Sequence, residues 1–277
     1  MTLNNLHKAV SSLSDTSLMP VLFVGHGSPM NALENNEFTL TWENVSKSLP
    51  HPRAIVCVSA HWETRGTYVT ADMKPKTIHD FYGFPQALYR QEYPASGSPE
   101  LAREIIDNIE NPKIENSLEW GLDHGTWSVL KYFYPDANIP VIQISIDHYK
   151  NAQWHYDLAK QLAFLRTKGV LVVGSGNMVH NLGMVQLGND DFNAEFGYEW
   201  AFELNDIFKN KLLDADFHGL INYHNLHNKV SLAIPTPEHY IPMLYALGMI
   251  QKEEKIKIFN DKVIAGSLSM TSFIIEE

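Results

Sequence analysis

With 277 residues, 44% of them hydrophobic and 19% charged, the chain has the makeup of a globular protein with a substantial core, which excludes a disordered tail protein. Its net charge of −11 gives no basic face for nucleic acid or an anionic membrane, so neither is expected as a partner. A lone cysteine, Cys57, excludes an internal disulfide and a cysteine-built zinc site.

The opening stretch "MTLNNLHKAVSSLSDTSLMP" lacks the apolar segment of a signal peptide. No run approaches the ~18 apolar residues of a membrane helix. A cytoplasmic protein is therefore the expectation. Residues 1–19 read as a polar arm and 20–277 as one catalytic domain.

"PVLFVGHGS" predicts a short buried strand over 21–24, stopped by Gly25, His26 and Gly27. Phe38, Trp42, Val45 and Leu49 then step by 4, 3 and 4, the stripe of a helix. "RAIVCVSAHW" predicts a second buried strand that carries Cys57 and ends at Ser59, Ala60 and His61. "TYVTADM" alternates like a strand, and 74–97, rich in Pro, Gly and aromatics, reads as a long ordered loop. Ser98 is an expected N-cap with Pro99 at the first helical position, followed by Leu101, Ile105 and Ile109 on one face. "LDHGTWSVLKYFYP" begins as a loop and becomes a helix, and "IPVIQISID" predicts a third buried strand. Trp154, Leu158, Leu162 and Leu165 mark a helix closed by Gly169. "VLVVGSGN" predicts a fourth strand and 196–213 another helix. "TPEHYIPMLYALG" suggests a helix capped by Thr236, with Pro237 at its start and Pro242 as a kink or stop. "AGSLSMTSFII" predicts a last, alternating strand. The expectation is a single α/β domain with a mostly parallel or mixed central sheet and helices on both faces.

Thirteen histidines are present, where ordinary composition would supply about half that number or a little more. Their positions matter more than their number. Open α/β sheets bind ligands beyond the carboxyl ends of their strands. His26, His61 and His180 each follow such an end, His124 lies in the loop before a helix, and His239 falls in the first turn of the expected "TPEHYIP" helix. Five imidazoles can therefore share one rim. The small neighbours of His26 and His61 leave room for close approach and an exposed ring. His7, His51, His148, His155, His218, His224 and His227 read as ordinary hydrogen-bonded residues, while His79 either lines a pocket or packs its loop. Imidazole suits Zn, Fe, Cu and Ni, and three protein ligands with open positions form the catalytic pattern. Glu238 or His239 can complete such a set, but neighbours on a helix point about 100° apart, so one of the two is expected to reach a metal.

"GSGNMV" begins like a dinucleotide fingerprint but lacks its last glycine, and no phosphate-binding P-loop is present. "GHGSP" offers Ser28 but does not match G-x-S-x-G. Trp62, Phe81, Tyr82, Phe84, Trp127 and Tyr240 are candidates for the wall of a flat-ring pocket, with core packing as the alternative.

"FVGHGSPM", "VSAHW", "TIHDFYGFPQALY", "GLDHGTWSVL" and "GSGNMVHNL" with "PTPEHYIP" together resemble the 4,5-DOPA extradiol branch of the class III extradiol dioxygenases. That family also contains the catalytic subunit of protocatechuate 4,5-dioxygenase. The resemblance runs from about residue 19 to the C-terminus, with the motifs in the same order. It implies that His26 and His61 bind metal, that His239 stands where distant relatives have a carboxylate ligand, and that His180 is a ligand or an acid–base group. It implies an acid–base role for His124 in the second sphere. It further implies Fe(II) for ring cleavage, with Zn(II) also suited to an all-imidazole set, and a small catechol and O2 as partners. The product would be a muconic semialdehyde. The rival reading is a zinc hydrolase, with His26, His61 and His239 around an activated water and Glu238 as base. No sequence feature specifies an oligomeric state.

Overall fold

The computed structural model describes residues 18–188 and 191–277. His7 and residues 1–17 of the expected arm lie outside the described residues. Met19, expected to end the arm, is buried, and its N–H donates to the carbonyl of Arg166 (3.1 Å).

A six-stranded sheet is built from β1 (Val21–Gly25), β2 (Ala54–Ser59), β3 (Val141–Gln143), β4 (Val170–Gly176), β5 (Lys255–Phe259) and β6 (Ser272–Glu276), in the order β3-β2-β4-β1-β6-β5. β3, β2, β4 and β1 run parallel, and β6 pairs antiparallel to both β1 and β5. The sheet is therefore mixed. Alternation within each strand splits the core in two, because successive side chains leave opposite faces. Val21, Phe23, Val56, Val58 and Val172 fall on one face, whereas Leu22, Val24, Ile55, Cys57, Leu171 and Val173 fall on the other. Each buried Val, Leu or Ile side chain contributes about 1.5–3 kcal/mol.

The first face is covered by α2 (Pro99–Asn108), α4 (Ala152–Leu162), α5 (Glu199–Leu213) and α6 (Ile241–Gly248), through Leu101, Ile105, Leu158, Leu162, Leu204 and Phe208 among others. The second is covered by α1 (Glu37–Ser48) and α3 (His124–Phe133), through Phe38, Trp42, Trp127 and Leu130. Ser98 caps α2 as expected, accepting from Leu101 N, with Pro99 in the first turn. Asn36 and Thr39 form a reciprocal capping box at the start of α1. Among the described residues no helix is long and apolar enough to cross a membrane.

Several elements differ from the sequence reading. "IPVIQISID" is two strands rather than one: after β3 the chain leaves the central sheet, and Ile146–Asp147 pairs with Glu63–Thr64. Ser145 makes the break, its hydroxyl accepting from Thr64 Oγ1 (2.7 Å) and Tyr68 N (2.8 Å). Thr236 caps no helix, and Pro242 lies in the first turn of α6 instead of stopping it. A proline tolerates that position because its missing N–H has no helical partner there. The helix expected over 196–213 starts at Glu199. The last strand is divided between Leu268–Ser269 and β6, and Ser272, Phe273, Ile274 and Ile275 are all buried, so no alternation in exposure remains. β5, "KIKIF", was missed because its alternating lysines hide a partly exposed edge strand.

Candidate active site

Three adjacent strands deliver the site. β2, β4 and β1 lie side by side at the sheet centre. His26 follows Gly25 at the end of β1, His61 lies two residues past Ser59 at the end of β2, and His180 lies four past Gly176 at the end of β4. His124 opens α3, whose N-cap Asp123 accepts from Thr126 N. His239 lies in the turn before α6. The turn reaches the sheet because Gly176 has no side chain: a Cβ there would lie 2.1 Å from the carbonyl oxygen of His239. That carbonyl instead accepts from Asn177 N (2.9 Å). Close approach of a backbone is thus the use of the "GSG" that superficially suggested a nucleotide loop.

The five imidazoles converge on one cavity of about 610 Å³. Ring centres of His26 lie 5.0 Å from His61, 5.6 Å from His124 and 5.3 Å from His239. His61 lies 3.9 Å from His124 and 5.1 Å from His239. His180 stacks on His239 at 3.4 Å, with 7° between the planes. Donor atoms of His26, His61 and His124 lie within 4.8 Å of one another, as do those of His180, Glu238 and His239.

Hydrogen bonds around the rings determine which nitrogen faces the cavity. Ser175 Oγ donates to the carbonyl of Gly125 (2.5 Å), so it accepts from His26 Nδ1 (2.9 Å). Asp80 Oδ2 accepts from His124 Nδ1 (2.9 Å) and lies 3.2 Å from His61 Nδ1 as an ion-pair contact, while Asp80 Oδ1 accepts from His124 N (2.9 Å). Glu238 Oε1 accepts from His239 Nδ1 (3.0 Å) and from Thr236 Oγ1 (3.0 Å). On His26, His124 and His239 the Nδ1 proton is therefore engaged, His61 turns its Nδ1 to the Asp80 carboxylate, and on all four rings Nε2 carries the free lone pair. His26 Nε2 and His61 Nε2 face each other at 3.2 Å, and the buried Nε2 of His239 has no hydrogen-bond partner. Lone pairs gathered in this way repel unless a cation sits among them. A divalent transition metal with nitrogen ligands fits this donor set, and Ser175, Asp80 and Glu238 form the outer shell that orients such ligands.

Burial is the first cause of the low basicity of these rings. It holds His26, His61 and His239 well below the usual imidazole range, with neighbouring histidines adding to the effect. Burial and then His124 lower His180 to about 4. All four rings are thus neutral at pH 7, the state in which imidazole ligates metal or accepts a proton. Burial alone would raise Asp80, but the hydrogen bonds and charge of His124, with His61, outweigh it and bring the carboxyl to about 2. Asp123 lies beneath the site, accepting from Ser59 Oγ (2.7 Å) and Gln143 Nε2 (2.7 Å), and burial followed by Asp80 raises its pKa.

Of the expected aromatic wall, Phe81, Tyr82 and Phe84 line the cavity. Trp62, Trp127 and Tyr240 do not: Trp62 stacks on Trp120, Trp127 Nε1 donates to Ile78 O, and Tyr240 Oη donates to Leu220 O. His79 packs its loop, its Nε2 bonded to Gln91 O (2.9 Å). Ser28 caps a 3-10 helix, accepting from Met30 N (3.2 Å). Sequence reasoning missed Asp80 and Ser175 as partners of the histidines. Asp80 was visible inside "TIHDF" beside His79, but it is distant contacts, the bridges from Ile78 N to Leu122 O and from Leu122 N to Lys76 O and the bond from Trp127 Nε1 to Ile78 O, that bring that loop against His124.

A mixed α/β sheet with imidazoles at the carboxyl ends of its central strands is a form suited to a metal-centred enzyme. Residues 19–272 match the family model described as the catalytic LigB subunit of aromatic ring-opening dioxygenase. The chain is 47% identical over 264 residues to a protein of Escherichia coli K12 named 4,5-DOPA dioxygenase extradiol, covering 94% of this chain and 96% of that one. It is 32% identical over 267 residues to a Beta vulgaris protein of the same name, covering 94% and 97%. A crystal structure of an uncharacterized protein from Escherichia coli K12 is similar in fold, with a TM-score of 0.80 and 44% identity over 93% of this chain and all of that chain. The chain belongs to the LigB family of aromatic ring-opening dioxygenases.

Proposed function

We propose that the protein opens the ring of a small catechol with O2, outside the diol, to give a muconic semialdehyde, and that residues 20–277 form one catalytic unit. A 3,4-dihydroxyphenyl compound of the DOPA type is the substrate class supported by the names of the relatives. One observation carries the reading: the Nε2 lone pairs of His26, His61 and His239 turn to one cavity, while Nδ1 of His26 and His239 bonds Ser175 and Glu238 and Nδ1 of His61 faces the Asp80 carboxylate at 3.2 Å.

In this reading His26, His61 and His239 hold the metal, with His180 at its edge. When bound, Fe(II) supplies Lewis acidity toward a diol and electron transfer toward O2, the second of which Zn(II) lacks. His180, kept neutral by burial, accepts a hydroxyl proton from the arriving diol. Asp80 holds the Nδ1 proton of His124 and leaves its Nε2 for proton exchange over the substrate. Phe81 and Phe84, packed edge to face at 5.4 Å, give the cavity an aromatic side against which a flat ring can rest. Glu238 is already engaged by His239 and Thr236, which speaks against its use as the base of a zinc hydrolase.

The test is oxygen uptake. Adding a catechol to protein loaded anaerobically with Fe(II) and then opened to O2 should consume oxygen and yield a yellow semialdehyde, while the zinc form should bind the catechol and consume none. No uptake across a catechol panel by iron-loaded protein would favour the hydrolase.

A further inference from the structure

We propose that Glu34 determines the specificity of this cavity, selecting catechols whose side arm ends in a protonated amine over those whose arm ends in a carboxylate. The proposal rests on the ring-opening reading and names the substrate feature that the same site recognises.

Beyond the histidines and Asp80, the cavity is walled mainly by apolar side chains, including Pro29, Met30, Phe81, Phe84, Phe192 and Leu268. Glu34 is the charged exception, and no lysine or arginine lines the cavity among the described residues. Asp80 does not compete for an amine, because both its oxygens are taken by His61 and His124. Glu34 differs. Its Oε2 accepts from Asn193 Nδ2 (2.8 Å) and Asn36 Nδ2 (3.4 Å), whereas no hydrogen bond among the described residues reaches Oε1. No ion pair joins Glu34 among the described residues either. Lys131, beneath the same segment, directs its ammonium to the carbonyl of Ala32 (2.8 Å) and to Gln91.

The carboxylate is also held in place. The Glu34 carbonyl accepts from Tyr132 Oη (2.6 Å) and Thr39 Oγ1 (3.0 Å), which anchors the end of the 3-10 helix Pro29–Leu33. Glu34 follows that helix, eight residues after His26, and both line the one cavity. A diol at the histidines thus leaves its ring and a short arm in the cavity that Glu34 lines. An ammonium there meets one unengaged carboxylate oxygen, whereas a carboxylate meets a like charge and no cation. For a DOPA-type molecule, the ammonium faces Glu34 and the carboxylate faces solvent.

The test compares three catechols on iron-loaded full-length protein: 3,4-dihydroxyphenethylamine, neutral 4-ethylcatechol and 3,4-dihydroxyphenylacetate. The kcat/KM of the amine should exceed that of the acid by about tenfold or more, falling toward equality in Glu34→Gln and inverting in Glu34→Lys. Calorimetric binding of the same compounds to zinc-loaded protein should give the same order without turnover. In the unaltered protein, added salt should reduce the amine preference, so the reading stands or falls even where a variant does not fold. An amine-to-acid ratio unmoved by Glu34→Gln or by salt, or an acid preferred by the unaltered protein, overturns this proposal and leaves ring opening intact. No oxygen consumption with any of the three removes the ring-opening reading and this proposal with it.

Discussion

Two regions bury ionisable groups, and they treat them in opposite ways. Near the starts of β1, β4 and β5, Arg166 and Glu254 form an ion pair whose side chains are 0% and 1% exposed. All three nitrogens of the guanidinium donate there: Nε to Met19 O (2.6 Å), Nη1 to Met249 O (2.7 Å) and Glu254 Oε2 (2.7 Å), and Nη2 to Glu254 Oε1. At the rim of the sheet, His26, His124 and His239 have their Nδ1 protons bonded and His61 turns its Nδ1 to Asp80, which leaves Nε2 atoms of His26, His61 and His239 without a donor. A satisfied buried network ties chain segments together. A network satisfied on one side only is a socket, since lone pairs left free in a dry place cost stability until something positive joins them.

The largest effect is expected in the tying region. Arg166→Ala should lower unfolding free energy by about 3–5 kcal/mol, because it strands Glu254 buried and unpaired. Denaturant unfolding measures this, and a loss below about 1 kcal/mol would show that the pair is replaceable by water.

Next in size is the pH response of metal-free protein. Burial lowers His155, which is bonded to Tyr245 Oη (3.0 Å), to about 4 from an ordinary 6.5. Above pH 6.5 both folded and unfolded forms are neutral, so the stability is fully present. Between 6.5 and 4 the unfolded chain takes up the proton first, and stability falls with pH by up to about 3 kcal/mol at 1.36 kcal/mol per unit. His155→Gln, which keeps a partner for Tyr245, should flatten that slope. His180 adds a slope of the same sign over the same window, and bound metal, which keeps the site's rings unprotonated in the folded state to lower pH, should extend the site's part while leaving that of His155 unchanged. A metal-independent slope would place the whole effect in the core.

His124→Ala should reduce turnover by about 10²-fold or more, equivalent to about 2.7 kcal/mol or more, while metal content changes less. Metal analysis beside single-turnover kinetics separates the two, and loss of metal would move His124 into the ligand set, where its donor atom within 4.8 Å of those of His26 and His61 would allow it.

The smallest effect is expected from Ser175→Ala. It frees the His26 ring to turn, and metal affinity should fall about 10–100-fold with little change in fold stability. Titration against a competing chelator reads it, and unchanged affinity would mean that His26 is held by packing alone.

Much of the framework was legible from the chain because it rests on local patterns. The apolar runs at 21–24, 54–59 and 170–176, the Ser98-Pro99 start of α2 and the histidines after strand ends all depend on near neighbours in sequence. Other features depend on contacts between distant segments and left little local trace. The broken third strand is decided by Ser145 reaching Thr64 and Tyr68. The aromatic wall was half right because ring type tells nothing of direction: Phe81 faces the cavity and Trp127 faces the loop carbonyl of Ile78.

The sequence by itself determined the α/β alternation, the two-sided burial of the sheet and the rim that collects the histidines, since hydrophobic period and strand ends are properties of short segments. Only the tertiary structure decided which nitrogen of each ring is free. That choice belongs to Ser175, Asp80 and Glu238, and two of these come from elsewhere in the chain than the ring they orient. A tautomer is selected by an acceptor about 3 Å away in space, and the distance along the chain does not enter.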